Sequence, residues 1–205
     1  ESIFSRGGGA DDAASMGYEF MLMDGKPTAS LIHFWPGNAA RVQAKEAVPT
    51  GPWSHLIMTY DGSSKASGLK ILLNGKPMEL EIVKDHLTKE VDNWHTPNGG
   101  LVRQHLVLGE RYRDRGFVKG QIDEFQMFDR EISDLEARLL YKMESESQIL
   151  DTSNKTEELY SHFLATSYLP AMSLRSALQA ARSDWNNVMD SLEDISVMRE
   201  LEEPK

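Results

Sequence analysis

A chain of 205 residues can bury one core of ordinary domain size and still carry an appendage, and its 22 basic against 32 acidic side chains give a formal charge of −10, which disfavours nucleic-acid phosphates and anionic membrane surfaces as partners. With no cysteine, the chain excludes disulfides, thiolate metal sites, thiol catalysis and covalent c-type haem attachment within itself. No apolar run approaches the roughly 18 residues of a membrane span, so membrane insertion is not expected.

From the first residues to about Phe128, short strand-like segments alternate with turn signals: SIFSR, GYEFMLM, TASLIHFW, ARVQAK, WSHLIMTY, LKILL, PMELEIV, LVLGE and FVKGQIDEFQMF. Short strands at this density, with no helical pattern among them, predict an antiparallel sandwich or barrel. In residues 53–60, alternation puts Leu56, Met58 and Tyr60 on one face and Trp53, His55, Ile57 and Thr59 on the other, which predicts a central strand covered on both sides. Asp61 and Gly62 close that strand, and SSKASG reads as a loop. Further on, Asn74-Gly75 supplies the two positive-φ residues of a type I′ turn, predicting a hairpin over LKILLNGKPMELEIV.

After Asp129 the hydrophobic period changes from about 2 to about 3.6 residues. Ser133 and Glu136 have capping-box spacing, and Leu135, Leu139, Leu140 and Met143 form one apolar stripe, so a helix starts there. A second helix is expected from near Asn154, burying Leu159, Tyr160, Phe163 and Leu164. Pro170 suits the first turn of a third helix. In it, Leu174, Leu178, Ala181, Trp185, Val188 and Leu192 make a heptad seam suited to an antiparallel partner, which predicts a helical hairpin. Core packing, not cofactor binding, is the reading of these stripes.

Two of these stretches carry a resemblance. WSHLIMTYDGSSKASGLKILLNGKP, followed by GQIDEFQMFDREISDLEA, resembles the closing half of a laminin G-like jelly roll of the concanavalin A-like group, over about residues 3 to 140. The resemblance implies a mainly β fold: an antiparallel jelly-roll β-sandwich over residues 1–131, with one or two N-terminal strands missing, then a helical extension or connector over 132–198. LIHFWPGNAARV, IVKDHLT, RYRDRGFVKGQIDEF and SVMRELEEPK are similar to a laminin G-like insert between two conserved domains of large planctomycete-type secreted proteins, many of which also carry a haem c domain. That similarity implies an extracytoplasmic setting, periplasmic or secreted, with flanking domains as partners and residues 199–205 as the junction to a following domain.

Jelly rolls of this group include glucanases, which aim two carboxylates at one sugar through a strand of the form Glu-x-Asp-x-x-Glu. The segment here that approaches that form has Gln121, Asp123 and Gln126, and an amide can neither attack an anomeric carbon nor deliver a proton at useful pKa. A non-catalytic domain is therefore expected. Alternation places Asp123 with Phe125 and Met127 on the core side. There it would either accept backbone N–H groups and pin the sandwich edge, or, as related domains imply, hold a structural calcium ion. Asp85-His86 lacks both a third ligand and a nucleophile.

The candidate ligand-binding residues are His33, Trp35, Asn38 and Arg41 around the bend at Pro36-Gly37, Trp94 and His95 in NWHTPNGG, and Arg111 and Arg113 in RYRDRG. An aromatic face stacks on sugar C–H groups while amide and guanidinium donors read hydroxyls or carboxylates. Arginines on an acidic chain suggest an anionic ligand. Trp35 as rim packing and Arg113-Asp114-Arg115 as an ion-paired turn are the structural alternatives. Two functions follow: a module that recognises carbohydrate, an anionic polysaccharide among the options, or an architectural domain that packs against flanking domains and binds no small ligand.

Overall fold

A strand whose side chains alternate between apolar and polar must find one dry and one wet or paired surface, and the first part of the chain solves this by folding back on itself repeatedly. The structure, a computed structural model, describes residues 1–8, 16–91, 105–110, 116–142 and 156–193. Within them run β1 (Ser2–Gly8), β2 (Met16–Met23), β3 (Lys26–Phe34), β4 (Asn38–Ala44), β5 (Leu56–Tyr60), β6 (Leu69–Leu73), β7 (Lys76–Pro77), β8 (Leu80–His86) and β9 (Leu106–Leu108). Three helices follow: α1 (Asp134–Lys142), α2 (Thr156–Thr166) and α3 (Leu169–Asp190). The strands form a six-stranded sheet in the order β8-β4-β3-β2-β1-β9 and a three-stranded sheet in the order β5-β6-β7, all pairs antiparallel. An antiparallel sandwich followed by helices is the architecture expected of a jelly roll with a helical extension.

Turn chemistry sets the register. Asp24 and Gly25, at φ 53° and 76°, join β2 to β3, and Asn74 and Gly75, at φ 51° and 72°, join β6 to β7 as expected. Gly17 is required for a different reason: a Cβ there would lie 2.0 Å from the Arg6 carbonyl oxygen on β1. Between the sheets, Phe20, Ala29, Leu31, Ala40 and Val42 of the larger sheet meet Leu69 and Ile71 of the smaller one. On the other side of the smaller sheet, Leu72 packs with Ile132 and Ala137, which seats α1 against it.

Four expectations are corrected. The hairpin beyond Asn74-Gly75 is short: β7 ends at Pro77, which has no N–H to donate, and the chain crosses to pair β8 with β4 in the larger sheet. β5 is an edge strand rather than a central one, pairing among the described residues with β6 alone. Residues 121–128 form no strand. Positive φ at Lys119 (59°) and Glu124 (51°) bends them out of extension, and Asp123 is exposed rather than inward, its carboxylate accepting the Glu124 N–H at 2.8 Å. Among the helices, Tyr160 and Phe163 are exposed, and the α3 seam is not buried, with Leu174 73% and Trp185 63% exposed. The helices are joined by polar ties instead: Arg138 pairs with Glu158, Arg182 donates to the Asp61 carbonyl at 2.8 Å, and Lys89 donates to the Leu192 carbonyl at 2.8 Å.

The capping box at α1 forms as its spacing predicts. Ser133 Oγ accepts the Glu136 N–H at 3.2 Å, and the Glu136 carboxylate accepts the Ser133 N–H at 2.7 Å. Burial pushes the Glu136 carboxyl up, but the Arg130 guanidinium and the Ser133 N–H outweigh it and hold it below the usual range. A group with a depressed folded pKa stabilises the fold above its unfolded value and loses that contribution as pH falls through the folded one. Ser133→Ala is therefore expected to cost about 1 kcal/mol in urea unfolding at neutral pH. Glu136→Gln is expected to flatten the loss of stability below the ordinary glutamate value of 4.5, read from denaturation midpoints across that pH range.

Candidate functional site

Strand register lines up Ser5, Glu19, Ser30, Arg41 and Lys84 across β1, β2, β3, β4 and β8, so these polar residues form one row on the outer face of the larger sheet. A neighbouring row carries Met21, Thr28, Gln43 and Glu81. An outer face of this kind ordinarily meets water, yet Glu19 is 4% and Arg41 8% exposed, and Ser30 and Thr28 are fully buried.

Charges taken out of water need partners close by. Arg41 Nη2 lies 2.9 Å from Glu19 Oε1, and Arg41 Nε donates to Ser30 Oγ at 2.8 Å. In the next row Gln43 Nε2 donates to Thr28 Oγ1 at 3.0 Å. Trp35, Pro36 and Gly37 turn the chain from β3 to β4 and fold the indole back over this row, its ring centroid 3.7 Å from the Arg41 guanidinium carbon. A cation stacked this closely on indole is held by the ring quadrupole as well as by its carboxylate.

Two segments are tied to the ends of the row. Ser2 and Ser5 donate to the Glu110 carbonyl at 3.2 and 3.0 Å. At the other end Asn38 Nδ2 donates to Thr88 Oγ1 at 2.7 Å, while Asn38 Oδ1 accepts the Thr88 N–H at 2.9 Å and the Lys89 N–H at 3.4 Å. His33 Nδ1 lies 2.7 Å from the Glu90 carbonyl oxygen, a bond that requires the proton on Nδ1.

The expected site residues thus divide. Trp35 and Arg41 are brought into contact, whereas His33 and Asn38 act on the backbone of residues 88–90. Trp94, His95, Arg111 and Arg113 lie outside the described residues. Asp123 is exposed, and no group of three or more His, Asp or Glu side chains is placed to share a metal ion among the described residues. Asp85 has a structural partner, accepting the Ala66 N–H at 2.8 Å. Sequence reasoning missed Glu19 and Ser30. The available signal was a carboxylate set among the apolar residues of GYEFMLM, which had to find a buried cation.

Antiparallel sheets of six and three strands packed face to face have the build of a jelly roll. The chain belongs to the Laminin_G_3 family of the concanavalin A-like lectin/glucanases superfamily, whose family model matches residues 1–138. Among solved structures it is similar to an S-layer domain-containing protein (residues 221–444) from Clostridium thermocellum, at 16% identity and a TM-score of 0.33, a likeness too slight to carry a conclusion. The match covers 69% of this chain and 62% of that one. No curated protein matches the chain significantly. No helix among the described residues is long and apolar enough to cross a membrane.

Removing one partner of a buried ion pair strands the other, so Glu19→Leu or Arg41→Met alone is expected to cost about 3–5 kcal/mol, and the double variant less than the sum. A double-mutant cycle by chemical denaturation measures this coupling. Asn38→Ala leaves two backbone N–H groups without their acceptor and is expected to cost about 1–3 kcal/mol, with faster amide exchange at Thr88 and Lys89.

Proposed function

We propose that the sandwich is a non-catalytic recognition module for carbohydrate, an anionic polysaccharide in particular, within a larger extracytoplasmic protein. The observation that carries this reading is the stack of Trp35 on the Arg41–Glu19 pair in a member of a lectin and glucanase superfamily. An indole fixed at a strand end offers an apolar face to sugar C–H groups, and a guanidinium held by its carboxylate keeps that ring in one orientation without a search for a rotamer.

Because Glu19 already balances Arg41, the preference for an anionic ligand rests elsewhere. It rests on Arg111, Arg113 and Arg115, which follow directly after the Glu110 carbonyl held by Ser2 and Ser5. Trp94 and His95 likewise follow shortly after the 88–90 backbone that Asn38 and His33 hold. The absence of hydrolysis rests on Gln121 and Gln126, which stand where the glucanase form needs carboxylates.

A second reading has its own support: α3 leaves Leu174, Trp185 and Val188 largely exposed, as a helix would that packs on flanking domains of its parent. In this architectural reading residues 132–198 are a connector and 199–205 a junction, and no small ligand binds.

A glycan array probed with the whole 205-residue chain, with acidic and neutral glycans side by side, separates the two. The expected result is binding to acidic glycans that Trp35→Ala weakens by about tenfold or more, equivalent to about 1.4 kcal/mol, while the thermal transition stays cooperative. Silence across both glycan classes from folded protein would overturn the recognition reading and favour the architectural one.

A further inference from the structure

The polar row under Trp35 continues past Arg41. On β8, which flanks β4 at the end of the larger sheet, Lys84 stands directly opposite Arg41, and His86 stands opposite Ala39. Residues facing each other across an antiparallel pair have Cβ atoms about 4.5–5.5 Å apart. Lys84 is therefore the strand neighbour of the guanidinium on which the indole is stacked.

Strict alternation would not put it there. Glu81 faces Gln43 and so lies on the outer face, and counting by two from Glu81 gives Val83 the outer position and turns Lys84 toward the core. The pairing instead slips between Arg41 and Val42. These consecutive residues of β4 face Lys84 and Ile82, which leaves Val83 as the extra residue of a β-bulge. A bulge re-aims the side chains beyond it, and this one brings an ammonium group to the Trp35 face.

The charge of that group is unanswered. Arg41 is balanced by Glu19, and Glu79 pairs with Lys45. Asp85 lies on the opposite face and accepts the Ala66 N–H, and Glu81 stands one row away beside Gln43. Lys84 is half-buried, yet it makes no hydrogen bond or ion pair among the described residues. A partly desolvated ammonium beside an already neutralised guanidinium favours an anion from outside the chain.

We infer that Lys84 is the residue through which the Trp35 face reads the charge of its ligand: a sugar ring stacks on the indole while a carboxylate or sulfate substituent is bound by the Lys84 ammonium. The inference rests on the recognition reading above and adds a charge-reading residue on the same face as the aromatic. An ammonium is a point charge with rotatable donors and does not demand a planar bidentate partner, so it takes either anion.

Isothermal titration calorimetry on the whole chain tests this with a short oligouronate, the same oligosaccharide reduced at its carboxyl groups, and a sulfated oligosaccharide. Lys84→Gln is expected to weaken binding of the oligouronate or of the sulfated probe by about tenfold, the loss of one charge-assisted hydrogen bond, and to leave affinity for the reduced form unchanged. Lys84→Arg should keep the preference for the charged probe. Trp35→Ala should weaken charged and reduced probes alike, because it removes the stacking surface. The anion whose binding depends on Lys84 identifies the substituent. Binding of charged probes that depends on Trp35 but not on Lys84 would overturn the inference and leave the recognition reading standing, as would equal weakening of charged and reduced probes by Lys84→Gln. Folded protein that binds none of the probes overturns the recognition reading itself, and this inference with it.

Discussion

A guanidinium and a carboxylate lie buried together on the outer face of the larger sheet, and the surrounding structure answers to that placement. Each charge would be costly to bury alone, so Glu19 on β2 and Arg41 on β4 must be brought to one row across β3, with Ser30 accepting from the guanidinium Nε. The row must also be covered, and the cover is supplied by chain rather than by a third layer. Trp35 folds over the guanidinium, Ser2 and Ser5 draw in Glu110, and Asn38 and His33 draw in residues 88–90. The ties from Ser2, Ser5 and His33, and those from Asn38 Oδ1, end on backbone groups, and so fix where the chain runs without dictating its sequence. This gives a sheet that positions the chain at both ends of the polar row, and binding surfaces are commonly built on loops held by such a scaffold.

The opposite face of the same sheet is ordinary packing, and the contrast has consequences. Alanines at positions 29 and 40 let the sheets approach closely around Phe20, Leu31 and Ile71. Toward β1 and β9 the smaller sheet runs out, and Phe4 of the inner face there meets Phe125. The helices reach the opening left there through Leu140 of α1 and Leu178 of α3. α1 is seated on the far side of the smaller sheet, and α3 is joined to the sandwich through Arg182, Lys89 and the Glu90 N–H to Asp190. Those ties orient the helix while leaving Leu174 and Trp185 of its seam exposed, so their hydrophobic energy is not spent within the described chain.

Local signals were readable because they act over a few residues. Ser133 and Glu136 bond each other as their spacing requires, Asn74-Gly75 makes its turn, and Pro170 opens α3. The matches between strands were harder to read. Period-2 alternation states which faces a strand has but not which neighbour it takes, so nothing in PMELEIV told that β8 would leave its hairpin for β4, or that β5 would stand at an edge. Alternation aims Asp123 inward only where the backbone is extended, and the positive φ of Glu124 breaks that extension. In the candidate site, Trp35 and Arg41 are legible by residue type, but the bond from Arg41 to Glu19 is a long-range one. The heptad of α3 was legible as an apolar stripe; its partner was not, because a stripe specifies only that something apolar should meet it.

The central claim is that the Trp35 face of the larger sheet is where ligand is met. Of the four tryptophans in the chain, only Trp35 is stacked on a guanidinium among the described residues. The most direct test is a titration of labelled protein with an acidic oligosaccharide, following indole N–H and arginine Nε–H resonances by NMR. Recognition at this face predicts saturable shifts of the Trp35 indole and Arg41 Nε–H signals together, with those of the exposed Trp185 unmoved. Saturable binding that leaves both Trp35 and Arg41 unshifted would contradict it.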